Sequence, residues 1–286
     1  MNGLQKKIHD LLLQKYTQVS DYSVIKNKYS VPELEMNLFE PMTDETKAAF
    51  IGSKDHEISS GKMNSLRSSS AMTFNLFGNG PVMLDSGSGS KEFKVTYEMH
   101  LDTLKDSNVP SNIDVVLESD DEIIFFVMKL FEPFYHKTSF FRELSRSYEN
   151  EERYFYPDSV YSFKETVEKL RTSGIKRYDA CQMFKHSLGI YNYLRKNEIS
   201  GKKVRLINCI WSINEPVPEK ELQAQYELVR NEEERGFQSF YDCMFNILNA
   251  FKKKGYDFSI ELMKVKDLVP MIRCSEEKRN WLARYL

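Results

Sequence analysis

Eight consecutive residues, IIFFVMKL (123–130), hold seven apolar side chains and one lysine. A run this short and this apolar is a strand covered on both faces, so the chain must wrap a sheet from two sides. Lys129 then becomes a problem, because burying an ammonium is costly unless a partner neutralises it. The preceding run, NIDVVLE (112–118), is rich in β-branched residues, and the polar SDDE (119–122) between them predicts a hairpin turn. Residues 93–99 alternate, with Phe93, Val95, Tyr97 and Met99 on one face and Lys94, Thr96 and Glu98 on the other. In an antiparallel pair the start of one strand faces the end of the next. That pairing brings Asp114 to Lys129 as the nearest neutralising carboxylate, with Glu98 on the preceding strand as another.

The remaining pattern places helices around these strands. Leu4, Ile8, Leu11 and Leu12 form one stripe of a helix over 3–17. SLRSSSAMTFNLF (65–77) has serines at a plausible N-cap and reads as a helix ending near Gly78, Gly80 and Pro81. DSGSGSKE (85–92) reads as an exposed loop or turn. Helices follow at 162–172 and 178–196, then a buried strand at 204–213. Residues 219–253 form one long helix or two, with a break at Gly236. A last strand at 258–264 and a capped helix at 275–285 close the chain. The order helix, three strands, helix, strand predicts a mixed α/β sheet. The expected organisation is a single domain, 1–286, with a core over 65–213, a helical N-terminal segment over 1–64 and a helical C-terminal extension over 214–286.

Charge and composition narrow the function classes. The formal net charge of −2 gives no global attraction to nucleic acid, so DNA binding needs a local basic surface. Lys26 with Lys28, Lys202 with Lys203 and Arg205, and the run Lys252, Lys253 and Lys254 are the candidate basic clusters, each equally readable as a solvated face. Hydrophobic content of 41% argues against a disordered chain. Cys181, Cys209, Cys243 and Cys274 are scattered without zinc-type spacing, as expected of reduced thiols. The five histidines, His9, His56, His100, His136 and His186, show no metal-ligand spacing. GSGS (87–90) precedes a strand rather than opening a helix, unlike a phosphate loop. No run approaches the roughly 20 apolar residues of a membrane span, and the expected location is the cytoplasm. The aromatic residues Tyr154, Phe155, Tyr156, Tyr161 and Phe163 suit either core packing or stacking on bases.

Carboxylates beside a lysine suit metal-assisted phosphodiester hydrolysis, in which acids hold a divalent ion and the lysine stabilises charge. The same residues would also make a structural buried ion pair. The arrangement, together with SLRSSSAMTFNLFG (65–78), VTYE (95–98), NIDVVLES (112–119), VMKLFEP (127–133) and YDACQMFKHSLGIYN (178–192), resembles the PD-(D/E)xK nuclease superfamily, and within it a bacterial branch described as restriction-endonuclease-like. The resemblance spans residues 65–213. It implies a restriction-endonuclease-like mixed sheet flanked by helices, a DNA substrate and Mg²⁺ or Mn²⁺. It also implies roles: Asp114 as central metal ligand, Glu98 as supplementary acid and second metal ligand, Lys129 as the motif lysine, and Gln182 as the polar residue completing the pocket.

One departure bears on all of this. The motif's glutamate falls two residues before its lysine, and Val127 stands there. Glu132 is an odd number of residues from Lys129, so it reaches the same side only if the strand bends before Pro133. Glu118 lies on the face of Asp114, two alternations along. Two functions follow: a Mg²⁺-dependent DNA endonuclease, impaired or with a relocated acid, and a catalytically inactive nuclease-fold module that binds DNA or protein. A homodimer is compatible with either.

Overall fold

The strands of the computed structural model form one mixed sheet. They are β1 (Val82–Ser86), β2 (Gly89–Leu101), β3 (Ser111–Glu118), β4 (Glu122–Lys129), β5 (Lys203–Ile210), β6 (Asp257–Lys264) and β7 (Ile272–Arg273), ordered β6-β5-β4-β3-β2-β1-β7. The structure describes residues 3–20, 29–52, 57–86, 89–106, 110–135 and 144–286. Lys26, Lys28, His56, His136 and turn residues 87 and 88 lie outside the described residues. Strands β1 to β4 run antiparallel, and β3 and β4 are joined by a tight turn in which the Ser119 N–H donates to Glu122 O at 2.9 Å. Strands β4, β5 and β6 are parallel, because helices carry the chain back between them.

Those helices make two apolar layers. On one face, Ile123, Phe125 and Val127 of β4 pack with α5 (Val160–Thr172), α6 (Ala180–Lys196) and α8 (Phe245–Lys253). On the other, Ile124, Phe126 and Met128 pack with α1 (Gly3–Val19), α2 (Asp44–Gly52), α3 (Ser69–Phe77) and the start of α7 (Lys220–Cys243). Period-2 alternation of wholly apolar side chains thus serves both layers, as the run at 123–130 predicts. The short helices α4 (Glu132–Tyr135), α9 (Val265–Leu268) and α10 (Glu276–Leu282) follow β4, β6 and β7.

The expected single face for Phe93, Val95, Tyr97 and Met99 does not hold. Phe93, Val95 and Tyr97 join the first-named helices' opposite layer with α1 to α3, whereas Met99 and Leu101 join the α6 layer. Strand β3 switches in the same place: Val115 and Leu117 face α1 to α3, but Ile113 faces α6. The cause is Glu98, whose φ of 52° is left-handed and turns the strand over without inserting a residue.

Other expectations are also corrected. Of the stretch 85–92, residues 85, 86 and 89–92 are not loop but strand residues of the β1–β2 hairpin, with Asp85 across from Ser90. The last strand expected at 258–264 is present as β6, while β7, a strand of two residues at the opposite edge of the sheet, is an addition. The long helix does not break at Gly236; it runs to Cys243, and α8 starts at Phe245. Gly236 serves instead as a contact point: a Cβ there would meet Tyr178 Cβ at 2.7 Å and the Lys176 carbonyl oxygen at 2.8 Å. Its absent side chain lets α7 press against the strand of chain that opens α6.

Candidate active site

Asp114 sits where β3 and β4 part. Their ladder runs from Glu118 with Ile123 to Val115 with Phe126. Counting one pair further puts Asp114 across from Val127, two residues before Lys129. No ladder bond closes that position, and Asp114 Oδ2 accepts the Met128 N–H at 2.6 Å instead. Burial pushes the Asp114 carboxyl up to about 6, while the Lys129 charge and the Met128 N–H pull it down and the carboxylates of Glu132 and Glu57 add to the rise.

Lys129 is a neighbour of Asp114, since its charge acts directly on that carboxyl. Its ammonium donates to Gln182 Oε1 at 2.7 Å. Gln182 is placed by the opening of α6, where the Asp179 side chain caps the helix by accepting the Gln182 N–H at 2.9 Å. The structure therefore joins three of the sequence-predicted residues, Asp114, Lys129 and Gln182. One turn on, His186 shares a hydrogen bond of 2.6 Å with Ser111 Oγ. Burial and the nearby Lys129 charge push His186 down to about 3, so it is neutral.

Glu132 reaches this end of the sheet because β4 stops at Lys129 and the chain bends into α4. Its Oε2 accepts the Leu130 and Phe131 N–H groups, each at 2.9 Å, and its Oε1 accepts Ser69 Oγ–H at 3.0 Å. Asp114 and Glu132 thus accept three amides of one short segment, those of Met128, Leu130 and Phe131. The α4 turn that follows it is held from outside by three side chains. Gln5 of α1 donates to Phe134 O at 2.9 Å, Arg177 donates to Pro133 O at 3.1 Å, and the Arg230 guanidinium of α7 lies 4.6 Å from the Phe134 ring centroid. Arg230 is itself fixed by buried Glu233 at 2.5 Å and by the Trp211 carbonyl.

The other predicted acids are placed differently. Glu98 lies across from Asp114 in the β2–β3 count, and its carboxylate accepts the Asn112 side-chain amide. Glu118 lies at the far end of β3, paired with Lys202 at 2.8 Å. Val127 is 1% exposed and belongs to the apolar layer under α6. Glu57 and Ser69 were invisible as site residues: Glu57 falls in a stretch with no periodicity, and Ser69 reads only as part of a helix cap.

Magnesium binds through one or two carboxylates while keeping water and phosphate oxygens. Asp114 and Glu132 fit that demand as hard oxygen donors, the Asp114 carboxyl being driven towards protonation by burial and, less, by its acidic neighbours. Among the described residues no three His, Cys, Asp or Glu side chains gather closely enough for a protein cage. On the rim, exposed Arg67 donates to Tyr135 Oη at 3.1 Å. The basic clusters are largely spoken for, Lys202 by Glu118, Arg205 by Glu261 and Glu122, and Lys254 by Asp158. Of the aromatic group, Tyr154 and Phe163 are core, while Tyr161 is 75% exposed.

A mixed sheet between helical layers, with an acid and a lysine at the opening of its central hairpin, defines a restriction-endonuclease-like protein. Residues 21–235 match the model of the family described as Restriction Endonuclease associating with ARP, and the chain belongs to that family. No curated protein and no solved structure matches the chain. The nuclease-type function expected from the resemblance stands with the family. Among the described residues no helix is long and apolar enough to cross a membrane.

Proposed function

We propose that this protein is a divalent-metal-dependent endonuclease that hydrolyses DNA phosphodiester bonds, with its acid relocated from position 127 to Glu132. The observation that carries the reading is the convergence of Asp114 and Glu132 on the amides of Met128, Leu130 and Phe131, beside Lys129. In this reading Asp114 and Glu132 hold Mg²⁺ or Mn²⁺, which when bound polarises the phosphate and lowers the pKa of water. Glu98 is the supplementary acid, and its hydrogen bond to Asn112 would be exchanged for the ion. Lys129 donates to a non-bridging phosphate oxygen and so offsets charge that grows as water adds to phosphorus. Gln182 fixes where that ammonium points. The leaving sugar oxygen takes up the proton that the attacking water loses.

A second reading, an inactive module that binds DNA or protein, draws on Val127, which is sealed in the apolar layer and offers nothing to a metal. Cleavage of plasmid and single-stranded DNA with Mg²⁺ or Mn²⁺ separates the two. The chain is compared with Asp114→Ala, Glu132→Gln and Val127→Glu. Cleavage lost in Asp114→Ala and in Glu132→Gln supports the relocated acid. Cleavage only by Val127→Glu means an intact site short of one ligand. No cleavage by any of them removes the enzyme reading and leaves the binding module.

A further inference from the structure

A cavity of about 210 Å³ lies between the end of β2 and the last turns of α6, lined by Phe155, Tyr156, Tyr193, His100 and Lys196 among others. It shares no residue with Asp114, Glu132, Lys129 or Gln182. Its size decides the class of ligand. Sites for drug-sized molecules run from about 300 Å³ upwards, so this one takes a single ring system with a small appendage.

Its walls are aromatic and held in place. Tyr156 carries the Arg195 guanidinium 3.9 Å from its ring centroid, and Asp158 fixes that guanidinium at 2.7 Å. Tyr191 meets Tyr156 edge-on at 6.2 Å. Tyr193 is braced edge-on by Phe125 of β4 at 6.1 Å. The loop after β2 is pinned by Asn192, whose amide donates to the carbonyls of Asp102 and Thr103 at 2.8 and 2.9 Å. Phe155, by contrast, is 37% exposed, an apolar ring left at the mouth. Beside it, Lys196 pairs with Asp102 at 3.3 Å, with side chains 71% and 60% exposed. So exposed a pair is worth little and yields readily to another anion.

We propose that this cavity binds a nucleobase, stacked on Phe155 and Tyr193, with its phosphate on Lys196. Three aromatic side chains and a histidine around a single-ring volume are the stacking platform that unpaired bases use, and every base offers a π-face. The adjacent Lys196 ammonium, held only by its exposed pair with Asp102, supplies the one charge that a nucleotide needs and a plain aromatic metabolite does not. The base belongs either to a free nucleotide or to an unpaired position in a strand, since both present the same ring and phosphate.

The test is calorimetric titration, in metal-free buffer, with AMP, GMP, CMP, UMP, adenosine and a single-stranded oligonucleotide. Working without metal keeps the outcome independent of any nuclease activity. Binding of at least one mononucleotide or of the oligonucleotide is expected, weakened about tenfold by Phe155→Ala, as loss of one stacking partner predicts. Lys196→Ala is expected to weaken AMP but not adenosine. An oligonucleotide much tighter than any mononucleotide identifies a strand as the source; equal affinities identify a free nucleotide. Thermal melting of Phe155→Ala, whose ring is at the surface, checks that the fold is intact. Absence of binding at millimolar concentrations, or binding unchanged in folded Phe155→Ala, overturns the proposal.

Discussion

The Lys129 ammonium donates to Gln182 Oε1 across 2.7 Å, tying the end of β4 to the first turn of α6. A hydrogen bond to a charged group contributes about 1.5–3 kcal/mol. Gln182→Leu removes that acceptor without altering size much. The expected result in urea denaturation is a loss of about 2 kcal/mol. Gln182→Glu keeps an acceptor and stays within about 1 kcal/mol of the parent. If the two variants fall equally, the glutamine acts by packing rather than by holding Lys129.

Asp114 carries a negative charge where burial and two further carboxylates oppose it. Without metal, its ionised form is therefore a strained one, and Asp114→Asn relieves the strain while keeping an oxygen for the Met128 N–H. At pH 8 in EDTA, Asp114→Asn is expected to melt higher than the parent. Adding Mg²⁺ or Mn²⁺ raises the parent's melting temperature, because an ion that binds only the folded state stabilises it, and leaves Asp114→Asn unmoved. An equal response of the two proteins to metal would remove Asp114 from the ion.

Val127 tests the departure from the family motif directly. It is 1% exposed in the layer beneath α6, and by register it stands across from Asp114. Val127→Glu puts a carboxylate into apolar surroundings, with an expected cost of about 2–4 kcal/mol in EDTA. Placed next to Asp114, the new acid also strengthens the metal site. The melting temperature of Val127→Glu should therefore rise more with Mg²⁺ than that of the parent. A variant that is destabilised and blind to metal would mean that position 127 points away from the ion.

Much of this was legible in the chain before its structure. The apolar run at 123–128 dictated a strand covered on both faces, and the polar turn before it fixed the hairpin. The caps worked as their chemistry requires: Ser68 accepts the Ala71 N–H at 3.1 Å and Ser275 the Lys278 N–H at 3.2 Å. What stayed hidden has a common cause. A change of face at Glu98 depends on one positive φ at a residue type that rarely adopts it, so period-2 counting carries straight through it. The bend that brings Glu132 back to its own amides is decided by Gln5, Arg177 and Arg230, all remote in sequence. Strand β1 hides because its five residues VMLDS are too short and too mixed to declare a period.

Gly236 gives a packing test far from the chemistry. Adding a methyl there drives it into Tyr178 Cβ and the Lys176 carbonyl oxygen, at 2.7 and 2.8 Å. Neither is the loose end of a flexible side chain, so backbone must move. Gly236→Ala is expected to lose about 1–3 kcal/mol of stability. Gly80, whose added Cβ would meet nothing within 4 Å, is the control, and Gly80→Ala should change stability by less than about 0.5 kcal/mol. Because residues 176–179 lead into the cap that places Gln182, cleavage should fall with Gly236→Ala as well.

His186 supplies the pH dependence. It is 1% exposed, bonded to Ser111 Oγ, and held near a pKa of about 3 by burial and by the charges of Lys129 and Lys185, against 6.5 for the free side chain. The groups acting on it are thus cations and apolar neighbours, all of which favour the neutral ring. The unfolded chain takes up a proton below 6.5 and the folded one does not until about 3. Stability from this residue is therefore present above 6.5 and lost as pH falls towards 3. Each pH unit in that window removes about 1.4 kcal/mol. Asp114 works in the opposite sense, its folded carboxyl taking up a proton below about 6, so the parent's own pH profile mixes the two. The difference between the parent and His186→Asn isolates the histidine, since asparagine can still bond Ser111 and does not titrate. Urea denaturation of both at pH 7.5 and pH 5 should show the parent losing about 2 kcal/mol more than the variant on acidification. Parallel losses would mean that His186 is charged in the folded protein, and that the Lys129 end of the sheet is wetter than its packing implies.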